Sequence, residues 1–139
     1  MKRALIFAVL MAVQGPLFAQ DAAPAKPKAE IAYYPFDPDI VTNYVTPSTE
    51  ELGYVRVSMQ LMLSDKKYIE VIEHHEPLLL DIIVDILSKE TADKHKSLTG
   101  REEIRLKILS ELKDAMRRET GQDVIRDVLY SKYLYHGPV

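Results

Sequence analysis

The spacing of apolar residues changes from period two to helical spacing in the middle of the chain. In residues 52–64 apolar and polar side chains alternate, which predicts a strand with one buried and one mostly wet face. Residues 66–76 have helical spacing, and Asp65 can cap them. Residues 77–88 are the densest apolar run outside the N-terminus and are too short to span a bilayer, so they predict a buried helix. Pro77 suits its first turn, and it either separates this helix from the preceding one or lies within one kinked helix.

Two further segments complete the predicted sheet. Residues 33–45 are aromatic and β-branched but contain Pro35 and Pro38, which confines them to an edge strand, or to an extended arm followed by a short strand. Residues 124–136 predict a last strand that is apolar on both faces, and such a strand suggests a central position. One side of this strand carries Val128, Tyr130 and Leu134, and the other carries Leu129, Tyr133 and Tyr135.

A second long helix is predicted over residues 100–119. Thr99 with Glu102 forms a capping box before its apolar face, and Gly121 ends it. The segment 89–98 is polar and is expected to be mobile. With the elements in the order strand, strand, helix, helix, strand, the sequence predicts an α+β fold, an antiparallel sheet of about three to four strands with two to three helices on one face.

The 139 residues accommodate one small domain behind an export signal. A basic start followed by a short apolar segment makes residues 1–19 a cleaved signal peptide. Residues 20–32, rich in Ala, Pro and Lys, predict a flexible linker, and residues 33–139 form the folded domain. The alternative is an uncleaved signal anchor, which would leave the protein single-pass in the inner membrane, on the periplasmic side.

Charge and cysteine content exclude several classes of protein. The formal net charge is −3, from 21 acidic and 18 basic residues, which is unlike the basic surface of a nucleic-acid-binding protein. The absence of cysteine excludes a disulfide framework and a lipid-modified N-terminal cysteine. Stability must therefore come from the apolar core.

Five segments stand out when the chain is taken in order: residues 38–44 (PDIVTNY), 54–63, 77–88, 98–105 (LTGREEIR) and 128–136 (VLYSKYLYH). Together they resemble the flagellar basal body-associated FliL family. The order and spacing of the segments carry the resemblance, which extends over about residues 33 to 136. His136 stands where the family commonly has Gln.

The resemblance implies a periplasmic domain at the flagellar basal body, similar in fold to the stomatin-like superfamily. It also implies a homo-oligomeric ring around the stator units, with a role in torque generation, swarming or surface sensing. No member of the family is known as an enzyme. Because the family usually has a true transmembrane helix, an accessory FliL-like paralogue is an alternative to a true FliL. A periplasmic small-ligand-binding or adaptor module unrelated to the motor is the alternative function.

The residues that could suggest catalysis or metal binding have simpler interpretations. His74 and His75 are adjacent in the helix and point about 100° apart, so they are poorly placed to bind one ion. Asp81 and Asp85 lie one turn apart opposite the apolar stripe, and no nucleophile or histidine converges on them in sequence. Tyrosines of the outer segments favour packing in the sheet over a ligand-stacking cluster. We therefore predict no catalytic residue, no cofactor and no metal ligand.

The predicted interaction surface lies on the wet sides of the two long helices. In a ring, each subunit presents one side to one neighbour and a different side to the next. The candidate interface residues are Asp81, Asp85, Arg101, Glu102, Arg105 and Glu111. Because exposed charges contribute little to stability, reversal of Arg101 and Arg105 to Glu is expected to leave the fold intact.

Overall fold

One strand in the middle of the chain pairs with every other strand. In the computed structural model, which describes residues 24–47 and 52–137, this strand is β3 (Gly53–Leu63). Strands β1 (Ala32–Pro35) and β2 (Ile40–Tyr44) pair with its two halves on one side, and β4 (Ile125–His136) pairs along the other, all antiparallel. Between β3 and β4 the chain forms a 3-10 turn (Lys66–Tyr68) and the helices α1 (Ile69–Lys89), α2 (Ala92–Lys96) and α3 (Leu98–Thr120).

The alternation in β3 separates the two faces of the sheet as the sequence predicts. Its buried residues are Val55, Val57, Met59, Leu61 and Leu63. Helices α1 and α3 cover this face, and side chains such as Ile83 and Ile108 are fully buried there. Such a side chain contributes roughly 1.5–3 kcal/mol by leaving water. The fold is therefore the predicted α+β class, a four-stranded antiparallel sheet with helices on one face.

The edge arm has the interrupted form that its prolines predict. Residues 36–39 separate β1 from β2 and contain the cis peptide bond Asp37–Pro38. The Tyr34 hydroxyl donates a hydrogen bond to the Glu76 carboxylate and so ties the arm to α1. Residues 24–31 form no helix or strand. The predicted signal peptide, residues 1–19, lies outside the described residues.

Helix α1 runs through Pro77 instead of beginning there, so the single-helix alternative is the correct one. Asp65 caps the preceding turn as predicted, and its carboxylate accepts a hydrogen bond from the Lys67 amide at 3.0 Å. Pro77 offers no N–H to the carbonyl of Glu73. Both residues are exposed, so water can satisfy that carbonyl.

The segment 89–98 is not the mobile stretch that its polarity suggests. It contains α2, in which His95 is fully buried. A Cβ atom at Gly100 would come within 2.4 Å of the Lys94 carbonyl oxygen. A glycine at this position therefore lets α2 and α3 approach closely.

The start of α3 differs from its prediction, whereas its end agrees. Ser97 is the N-cap, and its Oγ accepts a hydrogen bond from the Gly100 amide at 2.9 Å. Thr99 lies within the helix, so the predicted capping box is wrong. Gly121 ends α3 with a φ of 72°, the left-handed conformation that favours glycine.

In the described part of the chain β4 is an edge strand, so its predicted central position is wrong. Ser131 bulges between two paired positions of β3. The extra residue reverses the alternation, and Tyr130, Tyr133 and Tyr135 all face the helices. The predicted separation of these tyrosines between two faces is therefore also wrong. Leu134 lies on the opposite face, which no helix covers among the described residues, and we call it the open face.

Candidate partner-binding surface

A groove between α1 and α3 lies on the outer side of the helix layer. It has a volume of about 370 Å³ and is lined by Asp81, Ile82, Asp85, Ile86, Lys89, Lys107 and Glu111. Three predicted interface residues, Asp81, Asp85 and Glu111, therefore lie together although they come from two helices. The groove combines an apolar floor with a charged rim, an arrangement common at protein contacts.

Ion pairs neutralise part of this groove and leave two carboxylates available. Asp85 Oδ1 lies 2.6 Å from Lys89 Nζ, an exposed pair one helical turn apart. Lys107 is directed to Glu90, with 3.0 Å between its Nζ and Oε1. Asp81 and Glu111 form no ion pair with other residues that the structure describes. A basic side chain of a partner could therefore bind here without displacing an existing pair.

Glu90 anchors one end of the groove. It is only 7% exposed, and Lys94 Nζ lies 3.1 Å from its second carboxylate oxygen. Burial opposes ionisation of this carboxyl, but hydrogen bonds from Lys107 and Lys94 outweigh burial and lower the pKa of Glu90. Glu90 is therefore charged at neutral pH and holds Lys107 at the rim.

Arg105 is engaged within the protein and is not a free surface charge. Its guanidinium donates two hydrogen bonds to the Glu102 carboxylate, at 2.8 and 2.7 Å. It also donates to Asp127 Oδ1 at 2.6 Å and to the Val128 carbonyl at 3.0 Å. These bonds, that with Glu102 above all, raise the pKa of Arg105 despite its burial. Its side chain is 20% exposed, so the predicted wet position is wrong.

Arg101 is likewise directed inward, toward His95 and Tyr133. Its Nε donates to the His95 carbonyl at 2.7 Å, and its guanidinium lies 4.6 Å from the Tyr133 ring centroid. His95 Nε2 donates to the Leu87 carbonyl at 3.0 Å, so Nδ1 accepts from the Tyr133 hydroxyl at 2.5 Å. Burial lowers the pKa of His95, which agrees with a neutral ring that has both nitrogens bonded. We call His95, Arg101, Arg105 and Tyr133 the polar corner.

These contacts divide the six predicted interface residues into two groups. Asp81, Asp85 and Glu111 lie in the groove, and Arg101 and Arg105 bind α2 and β4. Glu102 is exposed but is paired with Arg105. The arginines are therefore structural contacts, and the acidic residues of the groove are the better candidates for binding a partner.

The amino-acid sequence resembles those of known proteins. The family model described as flagellar basal body-associated protein FliL matches residues 33–135 of the chain. The chain belongs to the FliL family. A similar curated protein is the flagellar protein FliL of Aquifex aeolicus (strain VF5), with 26% identity over 101 residues. The match covers 73% of this chain and 59% of that relative, so the chain spans about three fifths of its length.

The segments that resemble FliL lie in three strands of the sheet, in the second half of α1 (residues 77–88) and at the start of α3. Residues 38–44 include β2, residues 54–63 form most of β3, and residues 128–136 form most of β4. Residues 98–105 are the first turns of α3, which contain Arg101 and Arg105. Of these elements, α1, α3 and β4 are connected through the hydrogen bonds of the polar corner.

Membership of the FliL family makes this a flagellar basal body-associated protein. The family is one of flagellar accessory proteins and is not known as enzymatic. No helix in residues 24–47 and 52–137 is long and apolar enough to cross a membrane.

The candidate metal residues do not converge within the described ranges. His75 Nδ1 donates to the Val71 carbonyl at 2.7 Å, and the His74 ring is nearly perpendicular to the His75 ring, at 82°. No group of three or more His, Asp or Glu side chains in the described ranges is placed to hold a metal ion. Asp85 is paired with Lys89, which leaves Asp81 without the neighbour that acid–base chemistry would need.

A ligand-binding module would require a pocket lined by the tyrosines. The groove between α1 and α3 contains none, and neither does a second groove of about 250 Å³ between α1 and residues 36–41. Tyr133 and Tyr44 instead pack around the buried His95 ring, with centroids 6.0 and 5.0 Å away. The tyrosines of the covered face therefore fill the core.

Sequence reasoning missed His95 and Glu90, which are the buried polar residues of the described ranges. The one local signal for His95 was its helical spacing from Ala92, a half-buried residue three positions earlier in a polar segment. Ser97 followed three residues later by Gly100 was a further signal of a helix start. For Glu90 the sequence offered only the spacing of four residues to Lys94, which does not indicate burial, and its other partner Lys107 lies on another helix.

Proposed function

We propose that this protein is a non-enzymatic accessory component of the flagellar motor. It oligomerises in the periplasm and supports stator units in torque generation, swarming or surface sensing. Membership of a flagellar basal body-associated family supports the location. The observation that carries the contact role is the groove, in which Asp81 and Glu111 lack ion-pair partners among the described residues.

The groove supports a contact with another protein better than it supports chemistry. Its charged rim lies over the apolar Ile82 and Ile86, and an unpaired carboxylate in such a place favours a basic partner group. Of the candidate interface residues, Asp81, Asp85 and Glu111 can reach a partner without breaking the fold. Stator subunits and a second copy of the chain are the proposed partners.

Affinity purification of the tagged protein from flagellated cells and from cells lacking the stator tests this function. We expect stator subunits to co-purify, and Asp81→Lys with Glu111→Lys to reduce their recovery and motility in viscous medium. Each substitution is also made alone, and Glu119→Lys is the matched control for the single variants, because it reverses one charge at an exposed α3 residue outside the groove. Failure of the parent protein to recover stator subunits would reject the stator role. Equal recovery by the groove variant would reject the groove.

We also propose that residues 1–19 are removed on export to the periplasm. Intact-mass measurement of the protein isolated from cells tests this directly. A mass lower by those residues in the periplasmic fraction is expected. A full-length mass in the membrane fraction would instead support the uncleaved signal anchor.

A further inference from the structure

The open face of the sheet exposes several large apolar side chains to solvent. Its exposed apolar residues are Tyr33 (51%), Val41 (56%), Tyr54 (41%) and Leu134 (52%). Sheets normally bury an apolar face against a second layer, and clustered exposed apolar groups with polar neighbours mark interaction sites. No described part of the chain covers this face.

A cationic, preordered patch lies at the centre of the open face. Asp39 accepts hydrogen bonds from Arg56 Nε at 2.8 Å and from Ser58 Oγ at 2.5 Å. Lys132 Nζ lies 4.0 Å from the same carboxylate. Two cations thus share one anion, and the patch keeps a net positive charge. Side chains that are already held in place lose less freedom when a partner binds.

Both edges of the sheet are poorly suited to pairing with another strand. On one side Pro35 lacks an N–H and residues 36–39 interrupt the arm. On the other side β4 has bulges at Arg126 and Ser131. Interruptions of this kind are how proteins protect sheet edges from further pairing. The open face is therefore better suited to a partner than either edge of the sheet.

The outer surface of the helix layer has the complementary charge. Glu70, Asp81 and Glu111 are exposed there and form no ion pair with described residues. Leu78 and Val84 are 36% and 37% exposed between the α1 carboxylates. The outer surface of the helix layer therefore combines acidic groups with exposed apolar side chains, whereas the open face combines basic groups with exposed apolar side chains.

We propose that the open face of one copy binds the outer surface of α1 and its groove on a second copy. This inference rests on the self-association in the proposed function, and it identifies the surface that the groove of a neighbouring copy contacts. Because the two surfaces lie on opposite sides of a two-layer domain, each contact leaves one surface free on each copy. Such head-to-tail contacts propagate, and they close into a ring when the rotation between copies allows it.

Sedimentation of the purified full chain, over a concentration range, measures the contact. Leu134→Glu places an anion on the open face and should weaken association by about tenfold or more, because like charges then meet. Leu134→Lys is the matched control, since it removes the same apolar side chain but keeps the sign of the face, and it should associate much more tightly than Leu134→Glu. Val41→Glu and Val41→Lys repeat the comparison on β2, in case a change in β4 disturbs folding.

Charge exchange tests whether the two surfaces meet each other. Asp81→Lys alone should also weaken association. A one-to-one mixture of Leu134→Glu and Asp81→Lys should assemble, because each protein supplies the surface that the other needs. Association of the mixture no stronger than that of either variant alone would overturn the pairing.

The remaining outcomes separate this inference from the proposed function. If folded Leu134→Glu and Val41→Glu assemble like the parent, the open face is not the self-contact, and the proposed function stands. If these variants assemble but no longer recover stator subunits, the open face belongs to the stator, which also overturns the pairing. A parent protein that stays monomeric at every concentration overturns the self-association and the pairing together.

Discussion

The apolar layer lies between the sheet and the long helices, and the polar corner lies where α2 and α3 meet β4. Apolar burial stabilises the first region, whereas hydrogen bonds stabilise the second. Ile83 and Leu79 in the apolar layer are fully buried and need no directional partner. His95 is equally buried, yet both of its ring nitrogens require partners at fixed positions. The apolar layer should therefore accept side chains of similar volume, whereas the polar corner should accept only groups that reproduce its hydrogen bonds.

The largest effect is expected in the apolar layer. Ile83→Asp places a carboxylate among apolar side chains without a partner, which costs several kcal/mol and removes most of the stability of a small domain. The variant should be unfolded by circular dichroism and degraded in cells. Ile83→Val is the control and should cost only about 0.5–1.5 kcal/mol. Cooperative melting of Ile83→Asp at the parent temperature would contradict the position of this face in the core.

The contrast also explains which parts of the fold could be predicted from the sequence. Apolar burial leaves a periodic pattern, so β3, the apolar face of α1 and the body of α3 were predicted close to their observed positions. A hydrogen bond between distant residues leaves no such pattern. The predicted mobile segment 89–98 therefore concealed α2 and the buried His95, which a carbonyl of α1 and a hydroxyl of β4 hold in place.

The errors in β4 have a similar origin. A single bulged residue, Ser131, moves Tyr133 to the helix-covered face, and the sequence alone does not locate a bulge. Arg101 and Arg105 looked like exposed charges because an amphipathic helix places them beside its wet face. Their acceptors in α2 and β4 become visible only in three dimensions. The exposure of Asp81 and Asp85 was predicted correctly, because it depends only on their position opposite the apolar stripe of the same helix.

The second largest effect is expected for the arginines of the polar corner. Arg101→Glu with Arg105→Glu removes hydrogen bonds to several acceptors and leaves Glu102 beside a like charge, at a cost of about 3 kcal/mol or more. Thermal melting should show a clear loss of stability. Each arginine is also reversed alone, and Arg118→Glu is the matched control for the single variants, since Arg118 is exposed on α3, forms no ion pair with described residues and should change melting little. Equal melting temperatures for the single variants and this control would show that the corner contributes nothing to stability.

A smaller, pH-dependent effect is expected for His95. Because the pKa of His95 is lowered in the folded protein, the unfolded chain binds a proton first as the pH falls. The stability contributed by the neutral ring is therefore complete above about pH 6.5 and decreases below it. Glu90 and Arg101 also face this ring. Because the pKa of Glu90 is lowered too, the stability that its ionised carboxylate contributes is lost only at more acidic pH. Urea unfolding between pH 7.5 and 5 should show the slope.

His95→Gln is the control for this titration. Its amide can donate and accept hydrogen bonds but does not titrate, so the slope near neutral pH should disappear while the more acidic loss remains. Parallel pH profiles for the parent and His95→Gln would assign the slope to another group.

The smallest effect is expected where a polar contact lies in water. The pair of Asp85 and Lys89 is exposed, with 56% and 68% of the side chains accessible, so Lys89→Ala should cost only about 0.3–0.5 kcal/mol. Lys107→Ala removes the same kind of charge but leaves the 7%-exposed Glu90 with Lys94 as its remaining ion-pair partner among the described residues, and it should cost about 1–2 kcal/mol. Urea unfolding of the two variants at neutral pH compares them directly. The Lys107→Ala loss should also depend on pH, because a Glu90 with fewer cations binds a proton more readily. If both variants lose the same stability, burial of the partner carboxylate does not determine how much these ion pairs contribute.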